Sequence, residues 1–411
     1  MNLQQAEDYL LDLELFGMRF GLDRMHKLMT ALGMPQRRFA SIHVVGTNGK
    51  SSTVRFIAGI LERHGIRTGS YTSPHLVSFA ERIEVGERPV YAFDFAAAVS
   101  RAAHAARLVN RTLEEGDTVT QFEALTAAAY HELARRGVEV AVIEAGLGGR
   151  YDATNVIPSK VQVLTGVGLE HTRWLGPTIT DIAEEKLAVV RDQGILVTGD
   201  LHPEAEAVAE RVAAERHARR VRAPMEADYD LAARGAFQRA NFALARAAAE
   251  AFLGELDEDA VRRAAAEVQV PGRMQVVSER PLTVLDGAHN PAGAAAMAEA
   301  LPELAGGRRA VGVIGVLDDK DAAGMLRALL PRLDHVVYTR SSNPRSLSPA
   351  TLESLASKLD GPPSETMGDP RAALVRAQEL AGEDGAVLAT GSIYLIADLV
   401  RVESAARAST L

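Results

Sequence analysis

Ser41-Ile-His-Val-Val-Gly-Thr-Asn-Gly-Lys-Ser-Ser52 is the stretch on which the fold turns. Residues 41–45 form a short apolar, β-branched run that reads as a strand, and helical periodicity resumes from Ser51 to Arg63. Between them lies Gly46-Thr47-Asn48-Gly49-Lys50. A glycine turn from strand to helix suits a phosphate group: backbone N–H groups close around its oxygens, and the helix N-terminus adds partial positive charge. Lys50 supplies a point charge, and a hydroxyl at Ser51 or Ser52 can reach a metal shell. The alternative, a tight turn with an incidental lysine, leaves Gly-Lys-Ser unexplained. The strict pattern wants glycine at 44, where this chain has Val44, so the motif is a P-loop variant.

Further apolar runs at 138–143, 161–167 and 195–198 alternate with helical stretches at 93–109, 120–136, 179–191 and 203–218. That alternation predicts a mainly parallel, doubly wound sheet. Two amphipathic helices precede it, separated near Gly17 and Gly21. Helices near 237–253 and 257–267 end at Val270-Pro-Gly-Arg273, the best boundary signal in the chain. The alternation then restarts, with strands at 282–286, 309–316, 335–339 and 386–390, and helices at 291–304, 321–331, 349–359, 369–381 and 393–405. The predicted fold is α/β: a P-loop doubly wound ATPase domain, 1–272, followed by a smaller Rossmann-like α/β domain, 273–411.

The 411 residues suffice for two or three domains, and 47% hydrophobic with 24% charged side chains is ordinary globular composition. A net charge of −9 argues against nucleic acid or an anionic membrane as partner. The basic cluster Arg216, Arg219, Arg220 and Arg222 reads as a solvated helix end among glutamates. Cysteine is absent, which excludes disulfides, thiolate catalysis and cysteine metal sites and fits a cytoplasmic location. No signal peptide or membrane-spanning run is visible.

Three more motifs fall after predicted strands of the first domain. They are Tyr71-Thr-Ser-Pro-His-Leu76, Ile143-Glu-Ala-Gly-Leu-Gly-Gly-Arg-Tyr-Asp-Ala-Thr-Asn155 and Gly168-Leu-Glu-His-Thr-Arg-Trp-Leu-Gly176. Ligands of open α/β sheets collect at the carboxyl ends of strands, so Ser73, Glu144 and His171 can converge near the loop as a shell for a divalent ion. Each has a plainer reading: Ser73 as a turn residue, Glu144 as partner to a cation, His171 as a loop histidine. In the second domain Leu285-Asp-Gly-Ala-His-Asn-Pro291, Leu317-Asp-Asp-Lys-Asp321 and Ser342-Asn-Pro-Arg345 follow successive strands and would line one edge. The N-K-x-D motif of GTPases is missing, and the D-x-x-G match at Asp321 to Gly324 lies far from the loop.

In this order the motifs resemble the Mur ligase superfamily, and within it the folylpolyglutamate synthase/dihydrofolate synthase family. The resemblance also rests on Glu81-Arg-Ile83, T-x-F-E at Thr120 to Glu123, Ile-Ala-x-Glu-Lys at 182–186, and PGR. Ser51 departs from it, because that family usually has glycine there. The resemblance implies ATP phosphates on Gly46, Thr47, Asn48, Gly49, Lys50, Ser51 and Ser52. It implies magnesium, two ions in all, with Ser73, Glu144 and His171 as ligands and a carbamylated Lys186 as a further one. Asn241, Arg273 and Asp286 would contact the adenine nucleotide, with the catalytic group completed by Lys50, His171, Lys186 and His289 at the domain cleft. Thr120, Phe122 and Asp152 match pterin-binding positions, extended here to Gln121, Glu123, Tyr151, Ala153 and Arg82. Thr120 and Glu123 also read as a capping box for the following helix.

The chemistry implied is phosphorylation of a carboxylate by ATP, then attack of the L-glutamate amine on the acyl phosphate. Dihydropteroate, a reduced folate or both would be acceptors, and the family's habit suggests a monomer. Another Mur-type carboxylate–amino acid ligase, or a P-loop kinase or nucleotide switch, is the competing reading.

Overall fold

A computed structural model of the chain describes residues 1–13 and 21–401. The predicted break at Gly17, and the predicted helix beyond residue 401, lie outside the described residues. Helices Leu3–Asp12 and Asp23–Ala31 lead into β1 (Ala40–Val45), the helix Lys50–Arg63 and β2 (Thr68–Tyr71). A short hairpin, β3 (Ile83–Val85) and β4 (Arg88–Pro89), precedes β5 (Val140–Glu144), β6 (Val161–Leu164), β7 (Ile195–Thr198) and β8 (Arg219–Arg222). These eight strands form one sheet in the order β4-β3-β2-β5-β1-β6-β7-β8. From β2 to β8 every pairing is parallel, while β3 runs antiparallel to β2 and to β4.

The central strands are apolar throughout because helices cover both faces. Val140 and Val142 of β5 join the core beneath helices Lys50–Arg63 and Ala236–Leu253, where Phe56 and Phe242 meet edge to face at 5.2 Å. Ala141 and Ile143 point to the other core, with Leu125, Tyr130 and Leu133 of helix Gln121–Arg135.

The second sheet has six strands in the order β13-β12-β11-β14-β10-β9. They are β9 (Gln275–Glu279), β10 (Leu282–Leu285), β11 (Ala310–Ile314), β12 (His335–Tyr338), β13 (Ser364–Thr366) and β14 (Ala386–Thr390). All are parallel except the β9–β10 pair. The D-x-x-G match is a helix cap: Asp321 Oδ1 accepts from Gly324 N–H at 2.8 Å.

The basic cluster departs from its sequence reading. The helix ends at Glu215, and Arg219–Arg222 is the edge strand β8. Its side chains are paired with acids as expected, Arg220 and Arg222 with Glu206 at 2.6 and 3.2 Å and Arg216 with Asp192 at 3.0 Å. Charged residues on an edge strand also discourage pairing with another chain. No helix among the described residues is long and apolar enough to cross a membrane.

One buried group in this framework is pH-sensitive. His43 of β1 is wholly buried, with Nε2 at 2.8 Å from Thr154 Oγ1. That hydroxyl donates to Asp152, so His43 donates from Nε2 and its Nδ1 is left without a partner. Burial and nearby Arg191 hold the imidazole down at about 3. The unfolded chain therefore takes up a proton near pH 6.5 that the folded chain refuses until about pH 3. Stability is expected to fall as pH drops through this window, by up to about 1.4 kcal/mol per unit from this group. Thermal melts between pH 7.5 and 5 should show a shallower slope for His43→Gln; equal slopes would remove His43 from the account.

Candidate functional site

The site forms where β1, β2, β5 and β6 end, on the edge facing the second domain. Backbone conformation explains the loop's glycines. Gly49 has φ +82°, and a Cβ there would lie 2.4 Å from Asn241 Oδ1; a Cβ at Gly46 would strike Thr165. Asn241 therefore sits directly over the loop, anchored through Nδ2 to Gln238 Oε1 at 2.9 Å.

Lys50 Nζ donates to Gly46 O and Thr47 O at 3.1 and 3.2 Å, folded back on its own loop. Lys186 Nζ donates to the same Gly46 carbonyl at 2.9 Å, although it lies on the distant helix Ile179–Leu187. Lys186 is buried, and burial with the neighbouring Lys50 charge brings its ammonium down to about 7. A lysine that is substantially neutral near pH 7 is chemically reactive as an amine.

Glu144 ends β5 and is 1% exposed. It accepts from Ser51 Oγ at 3.0 Å and from Ser73 N–H at 3.2 Å, so the serine that departs from the family pattern is a donor to this carboxylate. Burial raises the Glu144 carboxyl, and Lys50, Ser51 and Ser73 pull against that rise. His171 follows β6 in a left-handed conformation, φ +53°. Partial burial and the charges of Lys320, Lys50 and Lys186, opposed by Glu170, bring its imidazole down to about 4.

No group of three or more His, Asp or Glu side chains among the described residues is arranged to hold a metal ion by itself. The donor set fits an ion that takes part of its shell from a bound phosphate chain. It offers a buried carboxylate whose burial opposes its charge, a serine hydroxyl and an imidazole that stays neutral.

The predicted substrate positions divide. Phe122 stacks on Tyr71 with centroids 6.1 Å apart and lies against Gly146, where a Cβ would come within 2.6 Å of its ring. Asp152 is buried and accepts from Leu147 N–H at 2.8 Å and Thr154 N–H at 3.0 Å, which shapes the glycine-rich loop beside Ala153. Tyr151 is exposed on the rim. Thr120 and Glu123 form the capping box, and Glu123 is ion-paired with Arg24 at 3.0 Å. Gln121 is buried and donates to Leu10 O at 2.8 Å. Arg82 is 1% exposed, with Nε donating to His75 Nδ1 at 3.0 Å beneath the 73–78 loop. Gln121 and Arg82 thus serve the scaffold in this structure rather than an open face.

The second domain meets this edge with several groups. Asp286 is buried, accepting from Met274 N–H at 2.9 Å and Ala288 N–H at 2.7 Å; burial raises it and Arg273 opposes. Asn290 caps the helix Pro291–Ala305 and exchanges amide hydrogen bonds with Asn48 of the phosphate loop, at 2.9 and 3.2 Å. Glu170 was not singled out in the sequence. Its carboxylate accepts from Lys320 Nζ at 3.1 Å and lies 3.3 Å from His289 Nε2 and 3.7 Å from His171 Nε2. Burial opposes its charge, but His289, Lys320 and His171 together hold it well below the usual carboxylate range. A carboxylate immediately before the histidine of a strand-end loop was the signal available.

This is the architecture of an amide-forming ligase with a two-domain cleft. The model of the Mur ligase glutamate ligase domain matches residues 272–393. The chain is 36% identical over 381 residues to the dihydrofolate synthase/folylpolyglutamate synthase of Mycobacterium tuberculosis, covering 83% of this chain and 78% of that one. It resembles the structure of M. tuberculosis folylpolyglutamate synthase complexed with ADP, with a TM-score of 0.91 and 33% identity over 97% of this chain and 98% of that one. It also resembles Escherichia coli FolC in complex with DHPP and ADP, with a TM-score of 0.86 and 31% identity over 97% and 96% of the two chains. The chain belongs to the dihydrofolate synthase/folylpolyglutamate synthase family, as the order of its motifs implied.

Proposed function

We propose that the protein is an ATP-dependent ligase that joins L-glutamate both to dihydropteroate and to the glutamate tail of reduced folates. The observation that carries this reading is one cleft holding the phosphate loop, Glu144 and His171 of the first domain opposite His289 and Lys320 of the second. Phe122 and Asp152 at the glycine-rich loop support dihydropteroate as one acceptor.

A carboxylate is a poor acyl donor until phosphorylated. In this reading Lys50 leaves its loop carbonyls to neutralise the ATP phosphates, and the loop amides hold them in line. Asn241, Arg273 and Asp286 hold the nucleotide. The acceptor carboxylate takes the γ-phosphoryl group and ADP is formed; the unprotonated glutamate amine then attacks the carbonyl carbon of the acyl phosphate, the tetrahedral adduct loses the amine proton and collapses to the amide, and phosphate leaves. Domains 1–272 and 273–411 close over the intermediate and keep water from it. Ser73, Glu144 and His171 would hold magnesium, which when bound spreads the charge of the transferring phosphoryl group. Lys186, neutral in part near pH 7, can add carbon dioxide through its unprotonated amine with loss of one N–H proton, and the carbamate would be an anionic ligand for a second ion. The protein acts as a monomer in the cytoplasm.

The test is glutamate-dependent ADP release with magnesium, run in parallel with dihydropteroate and with tetrahydrofolate. Release with both establishes the dual activity, and release with one names the single role. None with either moves the assignment to another Mur-type ligase. His171→Ala is expected to slow turnover and raise the magnesium needed for half-maximal rate by roughly 10–100-fold; an unchanged magnesium titration would remove it from the metal shell.

A further inference from the structure

We propose that Glu170 is a positioning residue that seats the second domain over the phosphate loop; the kinetic part of the argument rests on the ligase reading above. Glu170 stands in the loop after β6, and its side chain is only 11% exposed. Lys320, 12% exposed, comes from the loop after β11, and His289 from the loop after β10. A single carboxylate of the first domain thereby gathers two strand-end loops of the second, at 3.1 and 3.3 Å. His289 Nδ1 is hydrogen-bonded to Gly287 O at 2.9 Å, which fixes the ring so that Nε2 faces Glu170.

The other contacts across the cleft are of a different kind. Asn48 and Asn290 form an uncharged amide pair, Leu76 packs against the core of the second domain, and Arg401 donates to Leu76 O at 3.1 Å. None of these fixes Lys320 or His289. Removing the Glu170 charge leaves a largely buried ammonium with only the half-exposed Asp319, 3.7 Å away on its own loop, as counter-charge, which favours swinging Lys320 and its loop out to water. The phosphate loop and Asn241 would hold the nucleotide from the first domain, whereas the contacts of Arg273 and Asp286 and attack by the second substrate require the two domains in register. Glu170 thus acts through His289 and Lys320 and not on the reacting atoms.

The chain has no cysteine, so a Phe93→Cys/Val375→Cys pair, exposed by 81% and 55% on separate domains, accepts a donor and acceptor dye at those positions alone. Single-molecule energy transfer should show Glu170→Gln shifting the distance distribution toward open states, with Glu170→Asp restoring most of the closed population. Turnover of Glu170→Gln should fall by on the order of 10²-fold, and Glu170→Asp should restore most of it. Combined with Lys320→Met the losses should not add. A parental distance distribution in Glu170→Gln, or additive losses, overturns the proposal. If the parent itself shows no glutamate-dependent turnover, the ligase reading falls and the distance measurement still decides the role of Glu170.

Discussion

Lys50→Ala is expected to lower glutamate-dependent ADP release by at least on the order of 10²–10³-fold, the scale for loss of one preorganised charge-stabilising donor. The fold should survive. Lys50 opens the helix Lys50–Arg63, alanine is the best helix former, and the bonds lost run only to the carbonyls of Gly46 and Thr47. A second effect reinforces the first. Lys50 is one of the charges that depress Lys186, so its removal moves Lys186 back toward ordinary lysine behaviour and away from the neutral amine at pH 7. Near-parental turnover in a folded Lys50→Ala protein would sink the phosphate-loop assignment.

Glu144→Gln separates stability from function. Burial raises this carboxyl, so its ionised form is costly to the unliganded fold at pH 7. Glutamine keeps the shape: its oxygen can accept from Ser73 N–H, and its amide can donate to Ser51 Oγ in place of the present bond. The unliganded variant should melt higher, by about 2–4 °C for each kcal/mol relieved. The gain should vanish as pH falls into the range where Glu144 itself takes a proton. Turnover should drop by on the order of 10²-fold or more through loss of the charged ligand. A variant that melts lower at pH 7 and keeps its activity would show Glu144 to be an ordinary structural carboxylate.

The central strands were legible because burial on both faces leaves an uninterrupted apolar run. Residues 195–198 and 386–390 coincide with β7 and β14. The edges were not: β8 reads Arg-Arg-Val-Arg, and β3 and β4 are three and two residues long, so hydrophobic periodicity has nothing to act on. The loop, Glu144 and His171 were singled out by local spacing, and the structure sets them at the ends of the adjacent strands β1, β5 and β6. Glu170 did not, because its partner Lys320 lies 150 residues away and only the docking of two sheets brings them together. Gln121 shows the converse. It stands in a motif of substrate positions, yet its amide is spent on Leu10, 111 residues earlier.

Gly272 adopts φ +69°, and a Cβ there would lie 3.1 Å from Leu76 Cδ1, which also packs against the core of the second domain. Leu76 is three residues from Ser73, and Arg401 of the second domain donates to its carbonyl at 3.1 Å. The hinge between the domains and the serine loop therefore share one mechanical joint. Rotation of the second domain would therefore pull on the loop whose Ser73 N–H is bonded to Glu144, which links the interdomain angle to the geometry at the phosphate end of the cleft.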